Sequence, residues 1–339
     1  MSDSDSKNQV HDLLVVGAGP TGIAIGAAAR EAKLDVLLVD RGALTAAILA
    51  FPTYMTFFTT RDKLEIAGMP LTVPDEKPTR QQALVYYRSV VARYDIPLAL
   101  HEKVGAIHKN GSVFDVHTVK EGVNATRRAR AVAVATGYYD HPFKLCVPGA
   151  DFNWVHSYYR DPYRHFSEEI ALVGGGNSAC EAALDMWRNG VKKVTMIVRD
   201  SRLKEGVKYW VRPDVENRIQ EGAITAHFDT TVTAFKNDPR GVEARHASGR
   251  TLFVPCQAAY ALIGFHPDDC LLRDAGVVVD RATLVPMVNA DTCESNVPGL
   301  YIAGTVQAGL DTGRIFIENS RDHGPKIVNH LTTKLNTRT

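Results

Sequence analysis

Five cysteines, Cys146, Cys180, Cys256, Cys270 and Cys293, are the residues of this chain best suited to redox chemistry. Their number is odd and no two are spaced as C-x-x-C, so neither a short-spaced dithiol nor a cysteine-built zinc site is expected, and no metal is assigned. Cys180 falls in the first turn of a helix, where a thiolate would be stabilised, although a thiol there also packs well against a sheet. Cys146 lies in PFKLCVPGA as a linker thiol or a mixed-disulfide partner. Cys256, Cys270 and Cys293 read as strand or loop packing. His156 and His266 are side chains of the type that protonates a leaving thiolate, weighed against a structural role for each. Residues 51–60, FPTYMTFFTT, interleave aromatics with threonines around Tyr54. They are candidates to line a pocket, with aromatic core packing as the alternative.

Two glycine loops must position whatever these residues do. Residues 12–16 form an apolar strand that enters Gly17-Ala18-Gly19-Pro20-Thr21-Gly22. A helix rich in small residues follows over 23–32, then a second strand over 35–39 ending at Asp40. Gly17 permits the tight turn, Gly19 lets backbone approach a pyrophosphate, and Gly22 lets helix and strand pack closely. Asp40 can accept hydrogen bonds from both hydroxyls of an adenosine ribose. The same order recurs at a strand over 170–173, the loop Gly174-Gly175-Gly176-Asn177-Ser178-Ala179, a helix over 180–189 and a strand over 194–198. Its second strand leads to Arg199, with Arg202 and Lys204 close behind. A cation there pairs with a 2′-phosphate that an acid would repel, so NADPH is expected in preference to NADH. The two units therefore ask for different dinucleotides, FAD in the first and NADPH in the second.

The joining segments complete the plan. Apolar strands over 132–135 and 259–263 end in Ala135-Thr136-Gly137 and Gly264-Phe265-His266-Pro267, which reads as two crossings between domains. Near the other terminus, Val297-Pro298-Gly299-Leu300-Tyr301-Ile302-Ala303-Gly304 reads as a turn, a buried strand and a glycine opening a helix that carries Gly309, Asp311, Arg314 and Glu318. The expected fold is α/β and three-layered, with two Rossmann-like dinucleotide-binding domains. The NADPH domain (141–264) is inserted into a discontinuous FAD domain (1–140 and 265–339), and residues 1–10 form a disordered tail. With 39 Lys and Arg against 38 Asp and Glu, the net charge of +1 favours neither nucleic acid nor an anionic membrane as partner. No apolar run approaches the ~18 residues of a membrane span, and scattered single thiols suit a reducing cytoplasm.

The order G-x-G-x-x-G, A-T-G, G-G-G-N-S-A, V-P-G-L-Y-I-A-G resembles the two-dinucleotide flavoprotein reductases related to bacterial thioredoxin reductase. A narrower resemblance, to bacillithiol-disulfide reductases, rests on Phe51-Pro52-Thr53-Tyr54-Met55-Thr56-Phe57-Phe58, Gln82-Ala83-Leu84-Val85-Tyr86-Tyr87-Arg88, Gly264-Phe265-His266-Pro267-Asp268 and Ile315-Phe316-Ile317-Glu318-Asn319. It implies a homo-oligomeric enzyme that moves electrons from NADPH through FAD to a low-molecular-weight thiol disulfide or a small redox protein. The implied FAD positions are Gly17, Gly19, Pro20, Thr21, Gly22, Asp40, Arg41, Thr136, Gly137, Gly304, Thr305 and Ile315. The implied NADPH positions are Gly174, Gly176, Asn177, Ser178, Ala179, Arg199 and Arg202. Many members carry a cysteine in the first glycine loop where this chain has Thr21. The catalytic residues stay open, with Tyr54, His266 and Cys180 as candidates. The competing readings are a ferredoxin- or flavodoxin-NADP reductase, a flavin monooxygenase, suggested by His156-Ser157-Tyr158-Tyr159-Arg160 ahead of GGGNSA, and a flavin-binding sensor.

Overall fold

The computed structural model describes residues 9–337. The tail expected over 1–10 lies outside the described residues except at its end, where Val10 already opens the first strand. By internal contacts the chain divides into two compact units, one built from residues up to His141 and from His266 onward, the other from Pro142–Phe265.

In the first unit, β1 (Val10–Val16), α1 (Pro20–Glu31) and β2 (Val36–Val39) form the expected strand–loop–helix–strand. The short helices α2 (Ala46–Ala50) and α3 (Arg61–Leu64) precede α4 (Arg80–Tyr94). Thr79 and Gln82 close a reciprocal capping box at the start of α4, and Asp95 ends it in the left-handed region. Then come β3 (Leu98–Ala99), β4 (Lys103–Asn110), β5 (Val113–Lys120) and β6 (Val123–Val134). The sheet order is β3-β2-β1-β6-β5-β4. β6 pairs antiparallel with β5 through its first half, while its second half lies parallel to β1.

The second unit holds β7 (Val155–His156), β8 (Glu169–Val173), α5 (Asn177–Arg188), β9 (Lys193–Ile197), α6 (Arg212–Gln220) and β10 (Thr225–His227). It continues with β11 (Thr230–Asn237), β12 (Arg240–His246), β13 (Thr251–Pro255) and β14 (Ala258–Ala261). A parallel sheet runs β10-β9-β8-β14-β7, and β11-β12-β13 form a separate antiparallel sheet. The first unit resumes with α7 (Cys270–Asp274), β15 (Leu300–Ile302), α8 (Ile317–Ser320) and α9 (His323–Asn336). β15 lies parallel to the end of β6.

Each parallel sheet is covered on both faces, and the period of two along its strands sorts the core. Leu13 and Val15 pack with α1, α4 and α9, whereas Leu14 and Val16 pack with Phe114 and Val116 of the antiparallel extension. In the second unit Ile170 and Leu172 meet Ala182, Ala183 and Met186 of α5. Ala171 and Val173 meet Phe235, Val242 and Val254 of the small sheet. These antiparallel layers carry no phosphate-loop signature, so the motif reading passed over them.

Two expectations about the returning segment change. Gly304 opens only a 3-10 turn, Gly304–Ala308, which stops at Gly309 with φ +59. Gly309 and Gly313 flank Asp311-Thr312, and such turn formers favour an irregular connection over a continuous helix. Cys270, read as packing, is exposed.

Candidate functional site

The first glycine loop is closed on two sides and open on one. A Cβ added at Gly17, where φ is +112, would lie 2.5 Å from the Ala135 carbonyl oxygen. One added at Gly22 would lie 1.9 Å from the carbonyl oxygen of Gly17. At Gly19 it would meet nothing within 4 Å. Bare backbone therefore faces open space at the start of α1, the arrangement a diphosphate requires. Asp40 is braced beside it. Its Oδ2 accepts from the Ala18 N–H and its Oδ1 from the Gly42 N–H, both at 2.7 Å. Each oxygen keeps a further lone pair, so the carboxylate is oriented and still able to bind a diol.

Segments from later in the chain reach this loop or its immediate neighbours. Thr21 is the second residue of α1, whose N-cap is Gly19 and which has no side-chain cap. The Thr21 hydroxyl lies 3.4 Å from Ser320 Oγ, and a Cβ at Gly304 would stand 2.6 Å from it. The Gly304 N–H donates to Nδ1 of His323 at 3.1 Å. Gly137, with φ +71, places its missing Cβ 3.4 Å from the Thr305 hydroxyl. Arg41 pairs with Asp140 at 2.6 Å. Residues 51–60 form no strand. Phe51 packs edge-on to Tyr139 at 4.8 Å, and Phe58 to Phe316 at 5.0 Å, next to Ile315. Tyr54 remains 42 % exposed on this segment. Phe57 is buried, so part of the stretch is core as the alternative held.

The second loop repeats the geometry with a different finish. A Cβ at Gly174 would lie 2.4 Å from the Leu262 carbonyl oxygen, as Gly17 does against Ala135. At Gly176 the nearest atom would be Cδ of Lys204, at 3.7 Å. The Asn177 side chain points away from ligand duty, donating to the Gly206 carbonyl and accepting from the Lys208 N–H, both at 2.9 Å. Lys208 adds an ion pair with Glu181 at 2.6 Å, so residues 204–208 are strapped across the start of α5. Ser178 is exposed there and Ala179 buried. Arg199, two residues beyond β9, is 78 % exposed and 3.7 Å from Asp200, while Arg202 pairs with Glu205 at 2.6 Å.

Some candidates lose their chemical role. Cys180 is fully buried and its thiol is pushed up to about 12, chiefly by that burial and then by Glu181 and Glu216. Desolvation outweighs the helix N-terminus, so no nucleophilic thiolate forms at neutral pH. Cys256 is pushed up to about 12 for the same reason. His165, a further histidine ahead of the second glycine loop, is buried between Glu168 at 2.7 Å and the Tyr260 hydroxyl at 2.6 Å, a core network. Burial lowers His156 below the ordinary histidine value of 6.5, with His165 and Arg164 adding to the shift. His266 donates from Nδ1 to the Pro267 carbonyl at 2.9 Å and lies 5.8 Å from the His141 ring. Sequence reasoning missed His323. Its only signal was its position in the first turn of an amphipathic helix near the end of the chain.

Among the described residues no helix is long and apolar enough to cross a membrane. The sequence profile described as pyridine nucleotide-disulphide oxidoreductase matches residues 14–304. The chain is 33 % identical over 324 residues to the bacilliredoxin reductase Bdr of Bacillus subtilis, covering 95 % of this chain and 98 % of that one. It is 26 % identical to ferredoxin–NADP reductase 1 of Bacillus licheniformis, over 89 % of this chain and 83 % of that one. The solved bacillithiol disulfide reductase Bdr (YpdA) of Bacillus cereus superimposes with a TM-score of 0.93 at 32 % identity, over 96 % of this chain and all of that one.

Proposed function

The chain belongs to the pyridine nucleotide-disulphide oxidoreductase family, and from that premise we propose that it is an NADPH-dependent FAD reductase acting on a low-molecular-weight thiol disulfide of the bacillithiol-disulfide kind. One observation carries the reading. Two glycine loops of the same closed-and-open geometry end in opposite charges, Asp40 in one and Arg199 in the other. That pairing suits an unphosphorylated adenosine ribose in the first unit and a 2′-phosphate in the second.

FAD, when bound, supplies a two-electron carrier between nicotinamide and disulfide. The residues of the first unit bind and orient it. Gly19 admits the diphosphate, Asp40 takes the ribose hydroxyls, and the aromatic pairs of Phe51 and Phe58 wall off water beside it. The overall balance is one NADPH and one proton consumed per disulfide, giving NADP+ and two thiols. No cysteine pair has C-x-x-C spacing, and all five thiols are free. With Thr21 in the glycine loop, the reading routes electrons to the bound disulfide without a protein dithiol. A cytoplasmic, homo-oligomeric enzyme fits the scattered thiols and the family likeness.

The lack of a loop thiol also favours a second reading, a ferredoxin- or flavodoxin-NADP reductase, in keeping with the relative of that name. Anaerobic titration separates the two. NADPH is expected to bleach the flavin band faster than NADH, and a bacillithiol-type disulfide is expected to restore it. Recovery with ferredoxin but not with disulfide would favour the second reading, and no bleaching by NADPH would sink both. A Thr21→Cys variant tests the route. Unchanged disulfide turnover supports direct transfer, whereas activity gained only by the variant points to another acceptor for the parent.

A further inference from the structure

His323 is a buried imidazole whose partner is a backbone amide. It is 7 % exposed in the first turn of α9, and its Nδ1 accepts from the N–H of Gly304 at 3.1 Å. Neither side has room to move. Gly304 holds φ +74 with the Thr21 side chain against its α-carbon. Gly324, next to His323, would place a Cβ 2.6 Å from the Ala24 carbonyl oxygen, so the first turn of α9 presses on α1. Beside them the buried Ser320 donates to the Phe316 carbonyl at 2.7 Å and faces the Thr21 hydroxyl. An imidazole that accepts at Nδ1 carries its proton on Nε2 and is neutral. The imidazolium offers N–H at both nitrogens and would set a donor against a donor.

We propose that His323 is a positioning residue that acts as a pH-sensitive latch on the flavin-side turn. Neutral, it holds Gly304 and Thr305 in the conformation that receives FAD. Protonated, it releases the turn and weakens flavin binding. This rests on the reading of the first unit as the FAD site. The charged groups acting on His323 are Asp322, which immediately precedes α9, and Lys326 on α9, paired with each other at 3.2 Å. Gly304, its partner in the 3-10 turn, carries no charge, and neither does Thr21 of α1, which lies against Gly304, nor Ser320 of α8, which lies against Thr21. Burial lowers its proton affinity below the ordinary histidine value of 6.5, Asp322 opposing and Lys326 assisting. The contribution of the latch is therefore complete above 6.5 and is lost as pH falls from there through the folded value.

The test measures FAD affinity from about pH 8 to about pH 5, by fluorescence of released flavin, in the wild type, His323→Asn and His323→Leu. Asparagine Oδ1 can stand where Nδ1 does and does not titrate. The wild type is expected to bind tightly down to about pH 7 and then to weaken as pH falls, by up to about tenfold for each unit by which the His323 pKa rises when flavin leaves and the turn is released. His323→Asn is expected to stay level relative to the wild type across that window, and His323→Leu to bind weakly throughout. Parallel decline in the wild type and His323→Asn would overturn the latch. So would imidazole nitrogen shifts showing the Nδ1–H tautomer at pH 8 in the wild type, a readout independent of any variant. No bound FAD in the wild type at pH 8 would overturn the reading of the site itself.

Discussion

The two glycine loops share a backbone plan and differ in what surrounds it. Both press their first glycine against the carbonyl that follows a neighbouring parallel strand, Ala135 after β6 and Leu262 after β14. Both leave the middle glycine facing open space or a flexible lysine stem. At the third position they part. Gly22 has its α-carbon so close to Gly17 that no side chain fits, whereas Ala179 carries a methyl group at the equivalent place. Contacts from distant segments then tie the first loop down through Thr21, Gly304, His323 and Asp40. Its counterpart is braced by a single strap, 204–208, and its cations stay in solvent. The contrast suits a resident cofactor in the first unit and an exchanging one in the second, since preorganisation raises affinity by lowering the cost of ordering.

The strongest way to break this comparison is to equalise the third position. Gly22→Ala should cost at least ~1–3 kcal/mol from overpacking and strip flavin from the protein, read by thermal unfolding and bound flavin. Ala179→Gly should cost only about 0.5–1 kcal/mol and leave flavin in place. Equal effects would remove the distinction. Next, Arg199→Glu should lower the preference for NADPH over NADH by on the order of 10–100-fold in kcat/KM, the value of a charge-assisted hydrogen bond to the 2′-phosphate. A preference that survives would move the phosphate to another cation. Cys180→Ala should change disulfide turnover less than about twofold and stability by about 1 kcal/mol, because the buried thiol acts as packing. A large fall in turnover at constant stability would return it to the mechanism. Thr21→Val should have the smallest effect, about 0.5 kcal/mol, since its hydroxyl contact is long. Loss of flavin from that variant would show the hydroxyl to be worth more than its geometry suggests.

Much of the frame around the candidate site was legible because its signals are local. Glycine spacing, strand period and the residue ending the second strand depend on neighbours a few positions away, and they put Gly17, Asp40, Gly174 and Arg199 just beyond the strands that the structure shows. The helix expected after Gly304 failed on local grounds too, since Gly309 and Gly313 were there to be weighed as breakers. Cys180 and His165 misled for a different reason. Their types invited chemistry, and only packing shows that Cys180 is sealed in the core on the buried face of α5 and that His165 sits between Glu168 and Tyr260.

The sequence by itself determined the doubled strand–loop–helix plan, the charge difference between its halves and the lack of any C-x-x-C pair. All three are properties of short stretches whose backbone geometry follows from residue type. Tertiary structure alone decided which groups are available. Thr21 meets Ser320 and Gly304 meets His323 across 299 and 19 positions of chain. Burial and hydrogen-bond partnership depend on what long-range folding brings alongside, and they set whether a thiol ionises or an imidazole stays neutral.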